Sequence, residues 1–147
     1  MKKLIDLYTD GACSGNPGDG GYCAILLHND LKKIVSGYEP ETTNNRMELK
    51  AVIEGLKCLK FSCKVNVYSD SQYVVDAFNR GWFESWLTNG WKTADKKPVK
   101  NVDLWQDLYV EMQKHDVSFI KVPGHADNEY NNECDKIAVA EYKKHQK

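Results

Sequence analysis

Two residues, Asn29 and Asp30, separate the apolar-rich segments 22–28 and 31–39, and a gap that short allows only a tight antiparallel hairpin. The hairpin sets the direction of everything around it. Upstream, Leu4-Ile5-Asp6-Leu7-Tyr8-Thr9 reads as a strand that stops at Asp10, because 11–21 hold five glycines and one proline. Three consecutive strands then run up, down and up. Downstream, Leu49, Val52, Ile53 and Leu56 recur at helical spacing, on a helix that opens near Asn44. Residues 64–69 form a fourth strand, ended by Asp70. Val74, Ala77 and Phe78 mark a short helix closed by Gly81, and Leu104, Leu108 and Met112 mark another. Val117, Phe119 and Val122 alternate as a fifth strand, and a last helix covers about 131–144. This order predicts an α/β layer structure, a mixed five-stranded sheet flanked by helices. With 147 residues and no linker-like tract, the expectation is one domain over 1–147.

Composition excludes several classes. Hydrophobic residues make up 41% and charged residues 28%, which is globular rather than disordered. The longest apolar run, 22–27, is far too short for a membrane span, and Met1-Lys2-Lys3 is not followed by an apolar export segment. A soluble, unexported monomer with no membrane partner is expected. The five cysteines, at 13, 23, 58, 63 and 134, have no paired metal spacing and read as free thiols of a reducing cytoplasm. Net charge is only −1, but it is unevenly spread. Residues 91–101 carry four Lys against one Asp, whereas 102–135 carry eight acids against two Lys. A small basic patch beside an acidic concentration is the first functional clue.

Strand direction locates the acids. If the first and third strands end at the top edge, the next helix starts there and descends, and the fourth strand rises parallel to the first by the usual crossover. Asp10, Glu48, Asp70 and Asp135 then share one edge, the carboxyl ends of strands where open α/β sheets keep their sites. Each acid has an ordinary structural reading. Asn45 and Glu48 have the spacing of a capping box, Asp70 could cap the helix opened by Ser71, and Asp135 could complement a helix dipole in a first turn. Asp10, before a glycine-rich stretch, caps nothing. Two carboxylates ~4 Å apart repel by about 4 kcal/mol at an effective dielectric of ~20, so four together call for a divalent cation. Oxygen-only ligands select a hard ion, Mg²⁺ or Mn²⁺ rather than Zn²⁺.

The chain also resembles a known family, type I ribonuclease H, and in particular the bacterial ribonuclease HI enzymes. The resemblance rests on Tyr8-Thr9-Asp10-Gly11 with Ser14-Gly15-Asn16-Pro17-Gly18, on Thr42-Thr43-Asn44-Asn45-Arg46-Met47-Glu48-Leu49, and on Tyr68-Ser69-Asp70-Ser71-Gln72-Tyr73-Val74. It continues through Gly90-Trp91-Lys92-Thr93, Asn101-Val102-Asp103-Leu104-Trp105 and Gly124-His125-Ala126 to Asn132-Glu133-Cys134-Asp135. It implies a ribonuclease H-like fold and an endonuclease that cuts the RNA strand of RNA–DNA hybrids by two-metal hydrolysis, leaving 5′-phosphate and 3′-hydroxyl ends. Asp10, Glu48, Asp70 and Asp135 would hold two Mg²⁺ ions, with Mn²⁺ as a substitute, and His125 would carry protons or aid product release. Cys13, Asn16, Asn44, Asn45 and Gln72 would meet the hybrid in its minor groove, where only the RNA strand offers 2′-hydroxyls. Thr43 and Asn101 would form a pocket for a DNA phosphate. Trp82 and Trp86, with Trp91 and the lysines at 92, 96, 97 and 100, would belong to a basic protrusion spanning about 82–101 that grips the DNA strand.

Two departures bear on affinity. Leu87-Thr88-Asn89 stand where relatives carry basic residues, and Glu41 stands where they often carry Arg. A noncatalytic hybrid-binding module would need a lost carboxylate, and none is lost. An integrase- or resolvase-like DNA nuclease has no use for the Asn44, Asn45 and Gln72 set. Asp10-Gly11-Ala12 lacks the DxD of aspartyl-phosphate phosphatases, and neither it nor Asp70-Ser71-Gln72 matches the D-[T/S]-G of aspartic proteases.

Overall fold

The computed structural model describes residues 2–122 and 128–146. Three antiparallel strands, β1 (Lys3–Cys13), β2 (Gly18–His28) and β3 (Leu31–Thr42), are followed by helix α1 (Asn44–Lys57). Then come β4 (Cys63–Ser69), α2 (Gln72–Asn79), α3 (Trp82–Asn89), α4 (Val102–Met112), β5 (Asp116–Lys121) and α5 (Glu129–Lys143). The sheet order is β3-β2-β1-β4-β5, with β1 antiparallel to β2 and parallel to β4, and β4 parallel to β5. The hairpin turns at Asn29, whose φ of 53° is the left-handed backbone such a turn requires and asparagine tolerates.

The sheet departs from the sequence reading at its upper edge. β1 does not stop at Asp10 but runs on to Cys13, and β2 begins at Gly18 rather than residue 22, with Asp10 opposite Cys23 and Cys13 opposite Gly20. The glycines that looked like a loop are strand residues because neighbouring elements cross too close for side chains. A Cβ on Gly11 would lie 2.4 Å from the Glu48 amide nitrogen, and one on Gly21 would lie 2.1 Å from the Ala138 carbonyl oxygen. Glycine therefore lets α1 and α5 seat directly on the first hairpin.

The main core lies between the sheet and α1, α2 and α4. Leu7, Leu49, Val52, Leu56, Val67 and Trp105 are fully buried there, at roughly 1.5–3 kcal/mol for each aliphatic side chain. α5 covers the other face of β1 and β2 through Cys134 and Ala138 against Cys23 and Ile25. Phe78 stacks on Phe119 with ring centroids 4.0 Å apart, and the Trp86 ring meets the buried Trp105 ring edge-on at 5.2 Å. This aromatic cluster ties α3, the first part of the protrusion, to α2, α4 and β5. All five cysteines are free. Among the described residues, no helix is long and apolar enough to cross a membrane.

Candidate active site

Glu48 is the fifth residue of α1 and does not serve in a capping box. Thr43 caps the helix, its hydroxyl accepting from the Arg46 amide at 3.3 Å, so the Glu48 carboxylate is free to turn back towards β1. There its Oε1 accepts from the Gly11 amide, which also faces Asp10 Oδ1 at 2.9 Å. Asp70 follows the last residue of β4. It is Ser71, not Asp70, that caps α2, accepting from the Val74 amide at 3.2 Å. Asp10, Glu48 and Asp70 offer oxygens that all lie within 4.8 Å of one another. Asp135 sits in the second turn of α5, because that helix starts at Glu129 with Asn128 as its cap, earlier than the sequence suggested. It is exposed and completes the wall of the same cleft.

The cleft has a volume of about 450 Å³ and is lined by the four acids together with Gly11, Asn44, Asn45, Ser71, Gln72 and Tyr73. Burial lifts the Asp10 carboxyl from its ordinary 3.8 to about 7, and the charges of Asp70 and Asp135 push the same way. Glu48 is likewise held well above its ordinary range, by burial first and by the Asp10 charge second. Two nearly buried carboxyls that resist ionising side by side would ionise readily only with a cation between them. The donors are all oxygen, close enough to converge on a hard divalent ion.

A second cavity of about 250 Å³ adjoins the first, lined by Asn16, Thr43, Asn44, Asn45, Lys100 and Asn101. Asn44 and Asn45 line both, so the two spaces share a wall. This cavity sits at the N-terminus of the 14-residue α1, where backbone dipoles favour an anion, and Lys100 adds a positive charge. Asn16 Oδ1 accepts from the Asn44 amide at 3.1 Å, which fixes the glycine-rich turn against the helix.

Not every residue singled out in the sequence meets a cavity. The Cys13 thiol faces the Gly15 carbonyl of its own turn at 2.6 Å and the Thr42 carbonyl at the end of β3 at 3.3 Å, and Cys13 lines neither space. The Trp86 ring is half-buried in the aromatic cluster, whereas Trp82 is 43% exposed with the Arg80 guanidinium 5.7 Å above its ring. His125 lies outside the described residues. Three residues with clear roles stood inside the family-like motifs without being given a role there. Gly11 supplies the close approach, Tyr73 lines the cleft, and Asp103 takes the Arg46 guanidinium in a two-pronged bond at 3.0 and 2.7 Å. The Arg46–Asp103 pair is 57 residues apart, beyond any local pattern.

Comparison with known proteins agrees with this geometry. The sequence profile of the family described as RNase H matches residues 2–143. The chain belongs to the ribonuclease H family. It is accordingly a nuclease. The ribonuclease H of Thermoanaerobacter sp. is 60% identical over 96% of this chain and 91% of its own length. That of Acetivibrio thermocellus is 57% identical over 100% of this chain and 99% of its own. Among solved structures, LC9-RNase H1, a type 1 RNase H with the type 2 active-site motif, superposes with a TM-score of 0.88 at 28% identity, over 99% of this chain and 75% of that one. LC11-RNase H1 in complex with an RNA/DNA hybrid shares the fold, with a TM-score of 0.73 at 22% identity over 96% and 98% of the two chains.

Proposed function

We propose that this ribonuclease H hydrolyses the RNA strand of RNA–DNA hybrids with two Mg²⁺ ions held by Asp10, Glu48, Asp70 and Asp135, leaving 5′-phosphate and 3′-hydroxyl ends. The observation that carries the reading is the shared wall: a carboxylate cleft and an anion-fitted cavity separated only by Asn44 and Asn45. When bound, the ions supply an activated water and a Lewis acid for the departing 3′ oxygen, and Mn²⁺ fits the same donors. The protein's own groups do the rest. Asp10, lifted to about 7, and Glu48, held above its ordinary range by burial, would give up their protons to hold a divalent cation and would then supply fixed negative charge. Asn44, Asn45 and Gln72 present amides, which both donate and accept, to the minor groove, so a strand with 2′-hydroxyls is distinguished from one without. Thr43, Lys100 and Asn101 receive a phosphate of the other strand, and the exposed Trp82 extends the contact along the protrusion. The enzyme acts as a monomer in the cytoplasm, a reducing compartment in which its five thiols stay free.

The deciding assay compares hybrid, duplex RNA and duplex DNA with and without Mg²⁺. Cleavage confined to the RNA of the hybrid and dependent on Mg²⁺ supports the reading. Equal cleavage of duplex DNA would replace it with a DNA nuclease.

Two predictions follow from particular residues. His125→Ala should lower turnover by about 10²-fold or less, the range of a lost acid–base group, with hybrid binding retained. Metal affinity measured by calorimetry should stay unchanged, and its collapse would make His125 a ligand instead. Glu41 is exposed two residues before Thr43, which lines the anion cavity. Glu41→Arg, in an Asp10→Asn background that binds without cutting, should tighten hybrid binding and steepen the slope of log affinity against log salt by up to roughly 0.7–0.9. An unmoved slope across the salt series would show that position 41 does not face the phosphates.

A further inference from the structure

The Tyr73 hydroxyl stands where the two cavities meet and uses every hydrogen bond it can make. It accepts from Asn101 Nδ2 at 3.1 Å and from the indole Nε1 of the fully buried Trp105 at 3.0 Å, and it donates to the Lys100 carbonyl at 3.4 Å. Its own residue lines the carboxylate cleft, three positions after Asp70, while both residues it holds through oxygen and nitrogen, Lys100 and Asn101, line the anion cavity.

Asn101 shows why such a hold is needed. Its backbone is left-handed, with φ of 60°, and although it occupies the cap position of α4 its side chain caps nothing. The amide is instead pinned at both ends, Oδ1 by the Arg46 guanidinium at 3.2 Å and Nδ2 by Tyr73. Flipping the amide would point its NH₂ at a guanidinium that can only donate, so this orientation is chemically determined. One Nδ2 hydrogen goes to Tyr73, and Asn101 lines the cavity, where the amide's second hydrogen could meet a phosphate oxygen. Arg46 itself is neutralised by Asp103 and serves as a fixed post rather than a free charge.

Resting on the phosphate reading of this cavity, we propose that Tyr73 is a positioning residue that sets the spacing between the DNA-phosphate cavity and the metal-binding cleft. Its hydroxyl anchors Asn101 and Lys100 to the same α2 N-terminus that follows Asp70, so a phosphate held on one strand registers the other strand over the acids. The phenol touches neither substrate nor ion. Its loss should be felt in binding, through the DNA strand alone.

The experiment is steady-state cleavage by Tyr73→Phe of hybrids whose DNA strand carries one neutral methylphosphonate linkage, moved along the strand. In the wild type, neutralising one linkage should raise KM. On unmodified hybrid, Tyr73→Phe should raise KM about five- to tenfold, the worth of the one lost bond that holds the Asn101 side chain, with kcat within about twofold. On the hybrid neutralised at the sensitive linkage, wild type and variant should be equal. Asn101→Ala should raise KM at least as much, with the same dependence on the neutralised linkage, and Tyr73→Phe should add little to it in the double variant; Asn101→Ala carries the test alone if Tyr73→Phe fails to fold. A fall in kcat with KM unmoved, a KM penalty that persists on the neutralised hybrid, or no change at all would overturn the proposal. If the wild type cleaves hybrid but no linkage is sensitive, the phosphate cavity itself falls and takes this inference with it.

Discussion

Asp10→Asn should abolish cleavage and, in metal-free buffer at pH 8, make the protein more stable than the wild type by up to about 4 kcal/mol. The figure is the rise from 3.8 to about 7 at ~1.36 kcal/mol per unit. The sign follows from linkage. Asp10 keeps its proton in the folded state at pH values where the unfolded chain has released it, so its contribution is complete below about 3.8 and is lost as pH rises to about 7. The metal-free wild type should therefore weaken across that window, and the advantage of the amide should grow across it and then level off. The amide keeps an oxygen for the Gly11 amide and offers Glu48 a donor in place of a like charge. Mg²⁺ should raise the wild-type midpoint by mass action and raise the variant's less. Thermal melts from pH 4 to 8, with and without Mg²⁺, check all of this. A metal-free variant no more stable than the wild type at pH 8 would mean that the acids are not crowded.

Gly11→Ala should do the opposite and destroy both stability and activity. Its Cβ would stand 2.4 Å from the Glu48 nitrogen and 2.5 Å from the Met47 carbonyl carbon, both backbone atoms in a fully packed helix. Neither can rotate away, so β1 and α1 must separate, at a cost of about 3 kcal/mol or more, the upper end of overpacking. The separation falls between Asp10 and Glu48, so the carboxylates lose their shared donor. Gly90→Ala is the matched control. Gly90 also rejects a side chain, but only through its φ of +79°, with nothing within 4 Å of the added carbon. That change should cost about 1–2 kcal/mol and spare cleavage. Urea midpoints and hybrid turnover for both variants separate contact from conformation. A Gly11→Ala enzyme as stable as Gly90→Ala would show that α1 does not press on β1 at this point.

The local alphabet of the fold was legible because each element carried its own period or punctuation. Asn29-Asp30 marked the hairpin, and Leu49, Val52, Ile53 and Leu56 marked the buried stripe of α1. From those alone the strand directions followed, and with them the convergence of Asp10, Glu48 and Asp70 on one edge. That argument used only chirality and chain connection, which hold for any sequence with this order of elements. The limits of β1 and β2 were not legible. Glycine in a sequence signals freedom, and only the packed structure shows that at 11 and 21 it is there to be approached. The capping reading of Glu48 failed for a related reason, because Asn45 and Glu48 have the right spacing while Thr43, two residues before Asn45, caps the helix.

What the sequence determined by itself was therefore the order, direction and chemical character of the parts: a mixed sheet, acids at one edge and amides beside them. Tertiary structure decided which groups share an atom. The Gly11 amide between Asp10 and Glu48, the Asn101 side chain between Arg46 and Tyr73, and the inward turn of Trp86 all join residues from different elements. Such contacts depend on how two surfaces meet, to within a few tenths of an ångström. Periodicity and composition describe each surface separately, so nothing in them can specify the distance between two.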